Sequence, residues 1–157
     1  MVRSLVGKHN KYFEGILQLR NPNQKVVDFV NNDLKNGNIA VSKAEEVKNG
    51  VDYYLSDNDY TLALSKRLQQ KFGGEVKISS TLHTKIRGKD AYRVTALFRL
   101  PSFSKGDLVD YGGDEFIVKA MGKDIVLIGH GKNTKKHHLR YREMSQIKKI
   151  DRENVED

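Results

Sequence analysis

Apolar and polar residues alternate from Tyr12 to Arg20 (YFEGILQLR), a period near two that predicts a strand. The NPN that follows breaks the pattern, and Pro22 suits the first turn of a helix. Val26, Val27, Val30 and Leu34 then recur at helical spacing until Asn36, Gly37 and Asn38 supply the stop. Ile39 to Val47 is weakly patterned and Val51 to Leu55 strongly so. Lys48, Asn49 and Gly50 between them predict a hairpin turn, because Asn and Gly accept positive φ. Ser56, Asp57 or Asn58 can cap a second helix, in which Tyr60, Leu64, Leu68 and Phe72 repeat along one face before Gly73 and Gly74 end it. Glu75 to Lys85 and Ala91 to Leu100 predict two long strands around the turn Arg87, Gly88, Lys89, Asp90, with Tyr92, Val94, Ala96 and Phe98 on one apolar face. Strand, helix, two strands, helix, two strands is an α+β order, a two-layer α/β sandwich with a mainly antiparallel sheet.

The texture changes at Pro101. After PSFSKGD come short strand-like runs, GDLVDY, EFIVKAM and DIVLIGH, then a basic run and SQIKKI, with no helical period; this predicts a small closed β-barrel. The expected division is residues 1–103 for the α+β part, 104–150 for the barrel, and 151–157 (DRENVED) for an acidic polar tail. The chain carries no internal repeat and no low-complexity segment.

At 157 residues and 38% hydrophobic content, the chain can bury one ordinary core or two modest ones. It has no cysteine, which excludes disulfides, thiolate metal sites and cysteine nucleophiles within it. No apolar run approaches the ~20 residues of a bilayer-spanning helix. The start, MVRSLVGKHNKYFEG, lacks a signal peptide's apolar centre, so a cytoplasmic protein without a membrane partner is expected. The formal charge of +8, from 28 basic and 20 acidic residues, favours a polyanionic partner. Residues 1–103 hold a net +7 and residues 104–157 only +1, yet between 130 and 149 seven basic residues face Glu143 alone.

That patch centres on KNTKKHHLRYR, residues 132–142. Lys132, Lys135, Lys136, Arg140 and Arg142 can neutralise successive phosphates, and His137 or Tyr141 can stack on a base, which is what RNA backbone contact requires. The competing reading is a solvated barrel edge whose lysines block strand addition. A second basic surface, Lys77, Lys85, Arg87, Lys89, Arg93 and Arg99, flanks the long hairpin; an ordinary polar sheet face explains it equally well. His137 and His138 are adjacent, so on a strand they point to opposite faces and cannot chelate together, and no metal is expected. Asp52, Asp57 and Asp59 suggest a carboxylate site, but Asp57 and Asp59 sit where caps and first-turn acids belong. Gly112, Gly113, Gly129 and Gly131 match no phosphate-loop spacing, and Ser79 and Ser80 lack an assignable histidine and acid. No enzyme signature stands.

The stretches NGVDYYLSDNDYTLALSKRLQQKFGGEVKISSTLHT and YRVTALFRLPSFSKGDLV resemble the archaeal members of the NMD-three family, the export and assembly adaptors of the large ribosomal subunit. The likeness covers Asn49 to Val109. It rests on NG before an aromatic-rich strand, DYYLSD entering a helix, FGGEVK leaving it, and FRLP before the GD that opens the next part. Members of that family look like a zinc-binding, CxxC-bearing amino-terminal region, then this α+β part, then a barrel similar to translation-factor barrels, of SH3-like type. The present chain corresponds to the part without the zinc-binding region. The resemblance implies rRNA and ribosomal proteins of the large subunit as partners. For this chain itself no cofactor and no small-molecule substrate are expected, and a monomer is expected. The rival functions are a protein-only adaptor that recruits a partner strand at a sheet edge, and an unrecognised hydrolase.

Overall fold

The alternation in YFEGILQLR becomes β1 (Gly15–Arg20), with Leu17 and Leu19 buried and Ile16, Gln18 and Arg20 turned the other way. The computed structural model describes residues 12–86 and 88–151, and β1 lies at the centre of the first of its two sheets. Helix α1 (Gln24–Asn36) begins at Asn23, whose side-chain oxygen accepts from the Val26 N–H at 2.9 Å. Pro22 therefore precedes the cap instead of occupying the first turn. Val26, Val30 and Leu34 form the buried stripe; the Gly37 N–H closes the end on the Asp33 carbonyl, and Asn38 turns the chain at φ 55°.

Strands β2 (Val41–Val47) and β3 (Gly50–Leu55) pair as a hairpin through Asn49 at φ 63°. Gly50 also permits a close approach, since a Cβ there would lie 1.9 Å from the Leu19 carbonyl oxygen across the β1–β3 ladder. Helix α2 (Asn58–Phe72) is capped by Asp57, whose carboxylate accepts from the Tyr60 N–H at 2.9 Å. Thr61 and Ser65 are buried on its inner face and donate their hydroxyls to the Asp57 and Leu62 carbonyls, so their burial strands no donor.

Strands β4 (Glu75–Ile86) and β5 (Lys89–Arg99) complete the sheet in the order β2-β3-β1-β5-β4. β1 runs parallel to β5 and antiparallel to β3. Bonded neighbours joined by only residues 87 and 88 must be antiparallel, which fixes β4 against β5. Leu17, Leu19, Tyr53, Leu55, Ala96 and Phe98 put one face of the sheet against the buried stripes of both helices.

The second sheet is built from β6 (Leu108–Tyr111), β7 (Asp114–Met121), β8 (Ile125–Gly129), β9 (Lys136–Leu139) and β10 (Ile147–Lys149), in the order β10-β6-β7-β8-β9. All its described pairings are antiparallel, and among the described residues none joins β9 to β10. Its core holds Phe103, Val109, Phe116, Val118, Ile125 and Leu127. The basic run does not lead directly into the last strand. A 3-10 helix, Tyr141–Gln146, intervenes, and it buries Tyr141 and Met144, whose spacing of three places them on one side.

The protein is thus α+β, with two mostly antiparallel sheets and two separate cores. The chain divides into two compact units, one drawn from Met1–Phe72 and Val76–Leu100, the other from Gly73–Glu75 and Pro101–Asp157.

Candidate nucleic-acid interface

The β8–β9 connection is tied down by one of its own side chains. Asn133 donates its side-chain amide to the Glu115 carbonyl at 2.8 Å and accepts the Lys135 N–H at 2.9 Å. The His130 N–H reaches the same Glu115 carbonyl at 3.1 Å, and Gly131 turns the chain at φ 70°. Gly129 is needed beneath this loop, because a Cβ there would sit 2.1 Å from the Asn133 carbonyl oxygen. Sequence reasoning missed Asn133. The signal was present as an Asx residue two positions before the amide it caps, the ordinary side-chain mimic of a turn.

Lys132 is exposed on this loop. Lys135 is exposed too, but its ammonium pairs with the Asp114 carboxylate at 2.8 Å. From Lys136 the chain is extended through Arg140, so side chains alternate. Lys136, His138 and Arg140 are exposed on one side at intervals of ~7 Å. His137, Leu139 and Tyr141 point to the other, where Leu139 and Tyr141 are buried and His137 is half-buried. Arg142 is exposed just inside the 3-10 helix.

This alternation corrects two of the expected roles. Tyr141 cannot stack on a base from its observed position: it is 4% exposed and its hydroxyl donates to the Gly122 carbonyl at 2.7 Å. Burial, and secondarily the Asp124 carboxylate, push that hydroxyl up to about 12. The His137 ring stands edge-on to Tyr111 and Phe116, with centroids at 5.0 and 5.2 Å, so it belongs to the core wall. His138, across from Val126 on the outer side, is the imidazole offered to solvent. Glu143, the one acid in the segment, accepts the Arg140 backbone N–H at 3.1 Å and in turn donates its own N–H to the Arg140 carbonyl, which fixes the entry to the 3-10 helix.

The second basic surface is more dispersed. Lys77, Arg93 and Arg99 share the sheet face turned away from the helices, as the inward positions of Val76, Ala96 and Phe98 require. Arg93 and Arg99 are ~20 Å apart along β5. Arg93 lies over the Phe13 ring at 3.8 Å and donates to the Phe13 carbonyl at 3.2 Å. It closes a row in which Phe13 meets Tyr54 edge-on at 4.9 Å and Lys43 covers Tyr54 at 4.7 Å. Arg87 lies outside the described residues, as do the side chains of Lys85 and Lys89.

The acidic candidates are structural in their geometry. Asp52 is 7% exposed and paired with Arg20 at 2.7 Å, Asp57 caps α2, and Asp59 lies in its first turn. Ser79 and Ser80 are exposed on β4. Gly112 and Gly113, at φ 65° and 90°, form the tight β6–β7 turn. Among the described residues, no three His, Asp or Glu side chains gather as a metal site, and no helix is long and apolar enough to cross a membrane.

Comparison with known proteins adds one finding. The family model described as NMD3, second domain, matches residues 12–100, more than half of the chain and nearly all of the first unit. No curated protein matches the chain.

Proposed function

The chain belongs to the NMD3 family, whose function is ribosome-related, and on that premise we propose that it is a non-enzymatic binding module for the large ribosomal subunit. In this reading it contacts rRNA during late subunit assembly or quality control, beside ribosomal proteins, in the cytoplasm, as a monomer and without cofactor or small-molecule substrate. In the same reading, the second sheet corresponds to the SH3-like barrel that the family resemblance implies.

The observation that carries the reading is the row Lys136, His138 and Arg140, with Lys132 and Arg142 at its two ends, all exposed and set on a chain segment that Asn133 and Glu143 hold in place. Lys136 and Arg140 can each meet a different phosphate, with the His138 ring between them, and fixed loops lose less entropy on binding. Such contact is sequence-tolerant and falls steeply with salt.

The test is RNA binding against ionic strength, together with co-sedimentation with purified large subunits. Changing Lys132, Lys136 and Arg140 to Ala should lower the slope of log affinity against log salt by roughly 2–3 units, since each phosphate contact contributes about 0.7–0.9. Each substitution is on the surface and should move folding free energy by less than about 0.5 kcal/mol. An unaltered slope with an unaltered melt would leave the segment a solvated edge and end the proposal.

A further inference from the structure

The two edges of the first sheet are built differently. β2 carries Lys43, Glu45 and Glu46, all exposed, and its ladder to β3 is irregular between Val41 and Lys43. Charges and bulges of this kind keep a foreign strand from pairing. β4, the other edge, is the longest strand described, at 12 residues, and it carries little charge where it is most exposed. Lys77 to Leu82 (KISSTL) are six consecutive exposed residues, and Ile78 to Leu82 contain no charge.

The side chains there have sides. Val76 packs on the helix-covered core, so Ile78, Ser80 and Leu82 share that side, and Lys77, Ser79 and Thr81 share the other. Ile78 is 48% and Leu82 54% exposed. Tyr92 of β5 points to the same side, by its alternation with Ala96 and Phe98, and is 49% exposed. An edge strand with apolar side chains on one side, and no further strand beyond it among the described residues, is the template used when an extended peptide adds to a sheet.

We propose that the Lys77–Leu82 edge of β4 is a docking site for an extended, acidic protein segment that adds as a sixth strand. The segment alternates apolar residues, set over Ile78, Leu82 and Tyr92, with Asp or Glu on the side of Lys77. Charge selects this occupant. Residues 76–99 carry six basic residues against Asp90 alone, so a second copy of the chain would bring like charge against like, whereas an acidic strand is attracted. RNA shares the charge preference, and its phosphates can accept from backbone amides, but it gains nothing from Ile78 and Leu82. This surface does not depend on the RNA reading of residues 132–142.

The probe is a peptide of about eight residues alternating Val and Glu, a typical strand length, titrated into the isotopically labelled full chain. The amide resonances of residues 77–82 should shift, and the hydrogen exchange of those turned away from β5 should slow by about tenfold. A peptide of the same composition with the Val and Glu residues in separate blocks should bind at least about tenfold more weakly, and so should the probe to an Ile78→Glu, Leu82→Glu double variant. Both positions are exposed, so the variant's melt should match the parent's. Equal binding by the blocked peptide, or by the double variant, overturns the proposal. Protection of these amides that rises with protein concentration alone overturns it in favour of self-pairing. Tighter perturbation of the same amides by single-stranded oligouridylate than by the peptide overturns it in favour of RNA. Loss of RNA binding through residues 132–142 would leave each of these outcomes unchanged.

Discussion

Two buried phenols link single residues to pH. The Tyr53 hydroxyl donates to Asn31 at 3.1 Å and is pushed up to about 12 by burial, and Tyr141 reaches about 12 for the same first cause. An unfolded tyrosine ionises near pH ~10. Both folded values are raised, so the stability these groups contribute is fully present below pH ~10 and is lost as pH rises toward 12. Denaturant titrations across that window should show the parent losing stability, and Tyr53→Phe and Tyr141→Phe should each flatten the loss. At neutral pH each variant should cost about 0.5–1.5 kcal/mol, the net value of one hydrogen bond. A parent with level stability through pH 12 would refute the burial argument. Asn133 gives a second residue-scale test. Asn133→Ala removes both of its loop contacts but no cation, so RNA affinity should fall by about 1 kcal/mol while the salt slope stays as it was.

At the scale of elements, the helices rest on their first residues. Asn23→Ala and Asp57→Ala should each destabilise the first unit by about 1 kcal/mol in chemical denaturation, because each strands an amide that the side chain now satisfies. The second cap was legible in the sequence as one of Ser56, Asp57 and Asn58, because a capping residue announces itself by type and position; the first, Asn23, was not. Both helices and the long strands were legible, since their periods run for many residues. The misreadings fall where a short pattern had two meanings. Pro22 fits a first turn or the residue before a cap, and only the placement of Asn23 decides. Tyr141 was grouped with its basic neighbours, although Leu139 and Tyr141 already stood two apart, the spacing of one buried strand side. Spacing of three, from Tyr141 to Met144, is too brief to predict a 3-10 helix among charged residues. The division of Lys135 from the other cations could not be read at all, since its partner Asp114 lies 21 positions away and meets it only through the pairing of β7 and β8 and the fold of the loop. The family resemblance, by contrast, rested on the α2 and β4–β5 stretches, which lie inside the matched residues 12–100 except at their final end.

For the whole molecule, the separation of the two cores has a mechanical consequence. Phe98 is fully buried in the first cluster and Phe116 in the second, and neither cluster shares a residue with the other. Phe→Ala in a packed core costs about 3–5 kcal/mol. A unit of roughly 60 residues holds only ~3–9 kcal/mol of stability, from ~0.05–0.15 kcal/mol per residue, so one such substitution consumes much or all of it. Phe116→Ala should therefore strip hydrogen-exchange protection from β6 to β10 while β1, β3 and β5 keep theirs. Phe98→Ala should lower protection in the first sheet, less completely because that unit is larger, and leave the second sheet protected. A fragment of residues 1–103 should melt cooperatively on its own, since it contains the whole of the first cluster and Gly73–Glu75 are the only residues before Pro101 grouped with the second unit. If Phe116→Ala erased protection in both sheets at once, the two units would be one cooperative body and the division near residue 103 would be wrong. If it behaves as argued, a variant with an intact first unit and an unfolded second one becomes the tool that separates the β4 edge from the basic segment in any binding measurement.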